Sequence, residues 1–508
     1  MIIDLSEEFS SKQIEADICI VGSGAAGMAL ANEFKDYKGR VVMLESGEMN
    51  YNEKIQGLHK GVFSYHGLGR RVKSEKILDR DRLRAYGGTS KLWGGMCATF
   101  DEIDFEKRSW VPYSGWPFSR EHLLPFYDRA SKFLKIPPTK PIIDPARPPF
   151  TINDDGDLIT KMFYSIHSRD LGGVMLKTIK ESQNISLYLN ATVKNIDLNS
   201  ETGRVDSLTV LRNNLQTPPL LVKAKKYILA TGAIENPRIL LSSNDINKNG
   251  VGNDKDVVGR FFQGHGFTKN PTMAIMFTGN KNMEVFNYHR RSEHAHGFGM
   301  LGVSAKIQKK YQTLNCYIGA KGIMLNHKNG PLLGDIQSEM NLLGEDLNHP
   351  LAKSTWAPAL SRSLFEQEPN PANRVILSKK RDWLGTPRCK VDYKVSELQK
   401  ETLVGTMKAV GQMLGQEFQG KVRIDQNGKS IFRSLDDGGA KHHIGTTRMN
   451  DDPTLGVVNS DCQAHSVANL FIAGASVFPT SSGTNPTYTI VAMSIRLADH
   501  IKKLMGSV

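Results

Sequence analysis

The sequence predicts an α/β fold, α+β taken as a whole, and three widely spaced signals of one kind predict it. Each is a short apolar strand that ends on glycine: residues 17–27, 227–233 and 469–474. A simple dinucleotide-binding domain builds its sheet from one contiguous segment. Strands that return to one place from three parts of a 508-residue chain predict a composite domain instead. The stretch 265–435 between the second and third signals has weaker periodicity and reads as a sheet-based cap over that domain.

The first signal is the most complete. Asp17–Val21 is a compact apolar run, and Gly22, Gly24 and Gly27 follow it in G-x-G-x-x-G spacing. The first glycine permits the tight turn, the second lets a pyrophosphate approach the backbone, and the third lets helix pack on strand. Ala25 to Phe34 reads as the helix, and Ala25 and Ala26 sit in the first turn, where phosphate oxygens find free amides. Val41–Leu44 is a second strand ending on Glu45, 23 residues after Gly22. A carboxylate there can accept bonds from ribose hydroxyls, which favours FAD or NAD over NADP. The three-part, composite organisation selects FAD and a Rossmann-like FAD-binding domain.

The other elements follow in order. Residues 1–15 read as a polar lead-in. Residues 84–95 are a glycine-dense loop in which Thr89, Ser90, Trp93, Gly94 and Gly95 can approach a flat ligand closely. Residues 121–136 have helical character, and 137–155 are a proline-rich connector. Short strands in 185–230 surround a turn at Gly203, and Val193 can offer backbone to an adenine edge. Tyr227–Ala230 then meets Thr231 and Gly232, and Asn236-Pro237 opens a helix through Leu241. Loops are expected at 325–350 and 366–374. The third glycine signal closes on Gly474 and Ala475. The expected divisions are 1–100 (FAD-binding domain, first part), 101–184 (connector and substrate domain, first part), 185–264 (FAD-binding, second part), 265–434 (substrate-binding domain) and 435–508 (FAD-binding, third part, with the catalytic residues).

The chemistry concentrates near the C-terminus. Asn485 is a good N-cap and Pro486 suits the first helical position, with Thr487 next. A helix N-terminus carries about half a positive charge and, aimed at a flavin, would stabilise the reduced ring. His442 is the candidate base: an imidazole titrates near neutrality and can take a hydroxyl proton as hydride leaves the same carbon. Asn485 can bond the same hydroxyl oxygen and orient it. His443 is the reserve candidate.

Other function classes are disfavoured. The net charge of +13 is spread, with short clusters at 223–226 and 379–381, and lacks the basic-aromatic stripe of a nucleic-acid binder. Its simplest reading is a basic soluble surface, and its sharper one is a steering field for an anionic substrate or electron acceptor. Five scattered cysteines form no C-x-x-C pair, so neither a disulfide framework nor a zinc site is expected. His294 and His296 would share one face of a strand but lack a third ligand, so no metal is expected. A G-x-S-x-G elbow is missing, which argues against serine hydrolysis. No run is apolar and long enough to span a bilayer. Residues 1–8 carry no apolar h-region, so a cytoplasmic location without a signal peptide is the expectation.

Taken together, these residues resemble the glucose–methanol–choline (GMC) family of FAD oxidoreductases, in the branch of pyranose 2-oxidase and membrane-linked sugar and polyol dehydrogenases. The family pattern H-x-x-G-T-x-R-M, N-L-(F/Y), N-P-T is matched by His442, Gly445, Thr446, Arg448, Met449, by Asn469-Leu470-Phe471, and by Asn485-Pro486-Thr487. Gly232–Arg238 looks like the middle segment, and Gly264-His265-Gly266 like a segment near the substrate mouth. The resemblance covers roughly the first 130 residues, 185–265 and 435–508. It implies FAD, hydride transfer to flavin N5, and oxidation of a hydroxyl to a carbonyl in a sugar, glycoside or other polyol, with His442 as base and Asn485 as its partner. Oxygen or a quinone-type compound would accept the electrons. A hydroxynitrile-lyase-type or other non-redox flavoprotein on the same scaffold is the alternative. Two departures stand out. Leu92 occupies the position of the histidine that binds flavin covalently in pyranose 2-oxidases, so the FAD is expected to be noncovalent. Asn450 replaces the glycine after Arg-Met, and asparagine tolerates a left-handed turn.

Overall fold

Gln13–Val21 is the centre around which the first sheet assembles. It pairs in parallel with Val41–Leu44 on one side and with Leu220–Leu229 on the other. All four residues of Val41–Leu44 are buried, as a strand covered on both faces requires. Beyond it lie Ile185–Leu189 and then Ile2–Asp4, both parallel. The computed structural model describes all residues except 8, 67–70, 75–76, 138–156, 214–215, 268–272, 279–288, 292–294, 323–355, 419–420, 425–439 and 507–508. His294, the loop expected at 325–350 and nearly all of the proline-rich connector lie outside the described residues.

The start of the chain is therefore more than a polar lead-in. Ile2 and Ile3 are apolar enough to form an edge strand against Leu187 and Tyr188. Asp4 ends that strand, and its Oδ1 accepts from Asn190 Nδ2 at 2.8 Å. On the other flank, Leu220–Leu229 has two different partners along its length. Its first half belongs to an antiparallel meander with Val205–Leu211 and Thr192–Leu198. Its last three residues, Tyr227–Leu229, pair in parallel with Leu470–Ile472. That pairing brings the C-terminal part of the chain into the N-terminal sheet.

Helices cover this sheet. Ala25–Phe34 and Arg120–Leu134 both pack on the C-terminal helix Thr487–Leu504. Arg129 ties the three together by pairing with Glu33 and Asp499. Among the described residues, no helix is long and apolar enough to cross a membrane.

The helix after the second glycine signal begins earlier than the sequence suggests. It runs Gly232–Ser242, with Pro237 inside it rather than at its start. A proline there leaves the carbonyl four residues back without its helical donor. That carbonyl is Ala233 O, and the Thr446 hydroxyl donates to it at 2.7 Å. Asn236 opens nothing. Its Oδ1 accepts from Thr231 N and Oγ1, and its Nδ2 donates to Ser476 Oγ at 2.8 Å. Glu235, in the first turn, is buried among Arg82, Arg84 and Arg238. Burial pushes its pKa up, but the combined charges of the three arginines hold it well below the usual carboxylate value. The cluster pins residues 82–84, and with them the start of the glycine-dense loop, to this helix.

The cap is a second, larger sheet, mainly antiparallel, in which Trp356–Phe365, Cys316–Gly322, Ala295–Val303 and Leu158–Ile166 are consecutive neighbours. Gln263–Phe267 joins cap to cofactor-side chain: it pairs with Trp356–Phe365 on one side and with Ala440–Ile444 on the other. A third sheet of four strands links Arg374–Arg381 and Pro387–Lys394 to Val62–His66 and Arg71–Ser74.

Two glycines of the first turn make opposite demands. A Cβ on Gly27 would lie 2.0 Å from Gly22 O, whereas a Cβ on Gly24 would meet nothing within 4 Å. Gly27→Ala is expected to destabilise the protein without cofactor by roughly 1–3 kcal/mol through overpacking. Gly24→Ala should leave the melting temperature of that same form unchanged and weaken retention of the expected dinucleotide. Thermal melts alongside the amount of nucleotide retained check both, and equal melting losses would contradict the distinction.

Candidate active site

The three strand ends and the glycine-dense loop converge. Gly22 has φ +101°, and a Cβ there would lie 2.8 Å from Ala230 O and 3.2 Å from Thr231 Cγ2. Gly88 is packed so that its Cβ would sit 2.9 Å from Gly24 Cα, and the nearest atom to a Cβ on Gly474 is Ala26 Cβ at 3.9 Å. Gly22, Gly24, Ala26, Thr231 and Gly474 thus gather at one edge of the sheet. Gly24 has φ −70° and ψ −169°, extended backbone that any residue can adopt, and no side chain caps the helix it opens. Neither backbone angle nor protein packing requires glycine there. A ligand brought close to the amides of Ala25, Ala26 and Gly27 would require it. Gly232 and Gly94 likewise have nothing within 4 Å of an added Cβ. These open positions beside uncapped amides fit a dinucleotide.

Glu45 is buried, and its oxygens already hold protein donors. Oε2 accepts from Ser23 N at 3.0 Å and Ser23 Oγ at 2.5 Å, and Oε1 accepts from Gly47 N at 2.8 Å. The carboxylate therefore braces the glycine turn from within. Each carboxylate oxygen has two lone pairs, so Oε1 retains one acceptor direction for a ribose hydroxyl. Ala191 N donates to Glu45 O at 2.9 Å, which brings the strand containing Val193 alongside.

In the glycine-dense loop the side chains divide. Ser90 is spent on the protein: its Oγ donates to Gly87 O at 2.6 Å and accepts from Leu171 N at 3.1 Å. Thr89 Oγ1 accepts from Leu83 N at 3.1 Å, and Trp93 Nε1 donates to Arg169 O at 2.7 Å. Gly95 has φ +71°, with Ile166 N bonded to its carbonyl. Leu92 is 58% exposed, the largest apolar surface this loop presents.

The candidate reactive groups hang from the same framework. Gly445 N donates to Ala475 O at 3.1 Å, and Thr447 N to Ser476 O at 2.8 Å, so the segment after His442 runs beside the third glycine signal. His442 lies in the strand Ala440–Ile444. Asn485 Nδ2 is 3.3 Å from His442 Nε2, while Asn485 Oδ1 is buried without a partner. An orphaned buried acceptor beside an imidazole fits a site completed by a bound molecule.

Asn485 does not cap its helix. The helix is Thr487–Leu504, and Pro486 occupies the cap position, where no side-chain cap bond is made. The first turn is held instead by Ile490 N bonding Pro486 O at 2.9 Å. The asparagine side chain is turned to His442, and the helix N-terminus is left open.

His443 points elsewhere, as alternation along a strand requires. Its ring lies 5.7 Å from Phe262. Burial, then the charges of Arg82 and Lys441, push its pKa down to about 3. His442 sits deep in the protein yet keeps part of its surface open. Burial first, then the rings of His265 and His443, hold its pKa well below the ordinary 6.5.

One partner was not legible from spacing. His265 Nδ1 is 2.8 Å from His442 Nδ1, and His265 Nε2 is 2.8 Å from Ser481 O. The segment Thr480–Ser482 that supplies this carbonyl is itself buttressed. Ser482, at φ +60°, donates to Asp104 Oδ2 at 2.6 Å, and Thr480 Oγ1 donates to Asp104 O at 2.7 Å. Asp104 is raised to about 7 by burial and by the neighbouring Asp101 and Glu366. Ser481 Oγ bonds both N and O of Gln367 at 3.1 Å, next to the buried Arg108–Glu366 pair.

Comparison with known proteins finds one family. The family models for the two parts of the GMC oxidoreductases match residues 172–267 and 369–494. The large subunit of fructose dehydrogenase from Gluconobacter japonicus is 28% identical over 302 residues, 55% of this chain and 47% of that one, so the match spans about half of that relative. Paromamine 6'-oxidase from Streptomyces fradiae is 23% identical over 95% of this chain and 90% of its own. The solved structure of pyridoxine 4-oxidase from Mesorbium loti shares the fold with a TM-score of 0.59 at 17% identity, over 96% of this chain and 99% of that one. With two models of one family matched and a common fold over nearly the whole length, the chain belongs to the GMC oxidoreductases, a family of FAD-dependent enzymes.

Proposed function

We propose that this enzyme oxidises a hydroxyl of a sugar, glycoside or related polyol to a carbonyl, using a noncovalently held FAD. The observation that carries the reading is the pair His442 Nε2 and Asn485 Nδ2, 3.3 Å apart, with Asn485 Oδ1 buried and unpartnered beside them. The relative named for fructose supports a polyhydroxylated substrate. Leu92 cannot form a covalent bond to the cofactor, which supports noncovalent binding.

In this reading Gly22, Gly24, Ala25, Ala26 and Gly27 would hold the pyrophosphate, with Thr231, Gly232, Gly474 and Ala475 closing the seat. Glu45 would take a ribose hydroxyl and Val193 would offer backbone to the adenine. Residues Thr89 to Gly95, together with the open helix end at Pro486 and Thr487, would frame the ring. The bound flavin supplies the two-electron acceptor that turns an alcohol carbon into a carbonyl carbon. The chain's own residues handle the proton and the geometry. His442 Nε2 accepts the hydroxyl proton. Asn485 Nδ2 donates to the same oxygen and fixes which C–H bond is presented. Burial keeps His442 neutral before substrate arrives, so its lone pair is available across the physiological range. The cap strands shield the site from water. Oxygen or a quinone-type compound serves as terminal acceptor.

Anaerobic mixing of the FAD-loaded protein with sugars, glycosides and simple alcohols tests the proposal: at least one polyol should bleach the flavin absorbance. Bleaching by none of them would refute it. His442→Ala should retain FAD and lose about 10²–10⁴-fold in the rate of bleaching; an unchanged rate would remove His442 from the role of base. The pH profile has a defined sign. Protonation occupies Nε2, so kcat/KM falls on the acid side, and because the pKa lies below 6.5 the profile should be flat from about pH 6.5 upward. A limb rising between pH 7 and 9 would indicate a different base.

A further inference from the structure

We infer that His265 is a positioning residue that fixes which nitrogen of His442 is bare. The inference rests on the reading of His442 as the base and adds a residue which that reading does not require. The argument is one of hydrogen-bond polarity. A carbonyl oxygen only accepts, so the 2.8 Å contact between His265 Nε2 and Ser481 O places a proton on His265 Nε2. A neutral imidazole carries one N–H, so His265 Nδ1 is then an acceptor. The 2.8 Å contact between the two Nδ1 atoms therefore places a proton on His442 Nδ1. His442 Nε2 is left with a lone pair, and it is this nitrogen that lies 3.3 Å from the Asn485 amide donor. The polarity runs one way from Asn485 to Ser481.

Each condition for this chain is met by a separate feature of the fold. His265 must be neutral, and it is 1% exposed, so burial pushes its pKa down to about 4. The carbonyls of Ser481 and Ser482 and the charge of Glu366 act in the opposite direction, but Glu366 is bound by Arg108 in a fully buried pair. On the other side of His442, His443 is held neutral by burial. The two histidines must also be neighbours, and the antiparallel pairing of Gln263–Phe267 with Ala440–Ile444 makes them so. Finally, the carbonyl must not move. Ser481 is anchored to Gln367 and Ser482 to Asp104. Without His265, either nitrogen of His442 could carry the proton, and the tautomer with Nε2–H cannot accept one from a substrate.

The test separates polarity from packing. His265→Asn places an acceptor oxygen at the Nδ1 position, while His265→Leu fills similar space with no acceptor. His265→Leu should lose on the order of 100-fold in kcat, and His265→Asn should recover most of that loss. ¹⁵N-histidine-labelled protein, with and without FAD, supplies a readout independent of turnover, with His442→Gln assigning the signals. In the unsubstituted protein His442 should show a protonated-type shift at Nδ1 and an unprotonated-type shift at Nε2. In His265→Leu the two tautomers should mix. A proton found on Nε2 in the unsubstituted protein overturns the inference. So does a His265→Leu variant that folds, binds FAD and keeps both the kcat and the tautomer of the parent. If His442→Ala retained full activity while the predicted shifts were observed, the assignment of the base would fail and the tautomer assignment would stand.

Discussion

Parallel pairing of Tyr227–Leu229 with both Cys19–Val21 and Leu470–Ile472 is the constraint on which the rest of this molecule depends. Parallel strands need long crossovers, and here the crossover between the last two strands contains most of the cap, to which Leu158–Ile166 is added from earlier in the chain. Once Leu470–Ile472 is seated, Gly474 is delivered beside Ala26, the following residues bond Gly445 and Thr447, and the helix from Thr487 packs along Ala25–Phe34. The imidazole of His442 and the amide of Asn485 are carried to one place by that sequence of contacts. A site assembled from the two ends of a chain is thereby tied to the stability of one buried sheet.

Polar groups inside this core are held by specific partners. Glu235 lies among three arginines, and breaking a buried pair of this kind typically costs about 3–5 kcal/mol. Thr446 repairs the carbonyl that Pro237 leaves open. Asp104 holds Ser482 in a left-handed backbone conformation. All three contacts act on segments that carry or frame the candidate site. Such contacts are the means by which a fold keeps side chains within tenths of an ångström of a working geometry.

The local elements were readable from the residues, and the non-local ones were not. Ala25–Phe34 and Val41–Leu44 match their expected ranges because periodicity and a glycine turn are local signals. The edge strand Ile2–Asp4 is invisible to periodicity because three residues carry no period. The start of Gly232–Ser242 was misplaced because Pro237 reads as a first-turn proline, while the hydroxyl that permits it mid-helix lies 213 residues away from the carbonyl it satisfies. The sequence context of Asn485 is that of a cap; its side chain instead faces an imidazole 43 residues earlier. His265 stood out as a histidine between glycines, but its partner is 177 residues away across a bulged strand pair that no spacing rule reveals.

The most direct test of the central claim is an experimental structure of the protein with FAD bound. The account predicts room for one carbinol between the flavin and His442: its carbon about 3–3.5 Å from N5 and its oxygen about 2.6–3.2 Å from His442 Nε2. A ring bound away from His442 and Asn485, with no position that satisfies both distances, would contradict it.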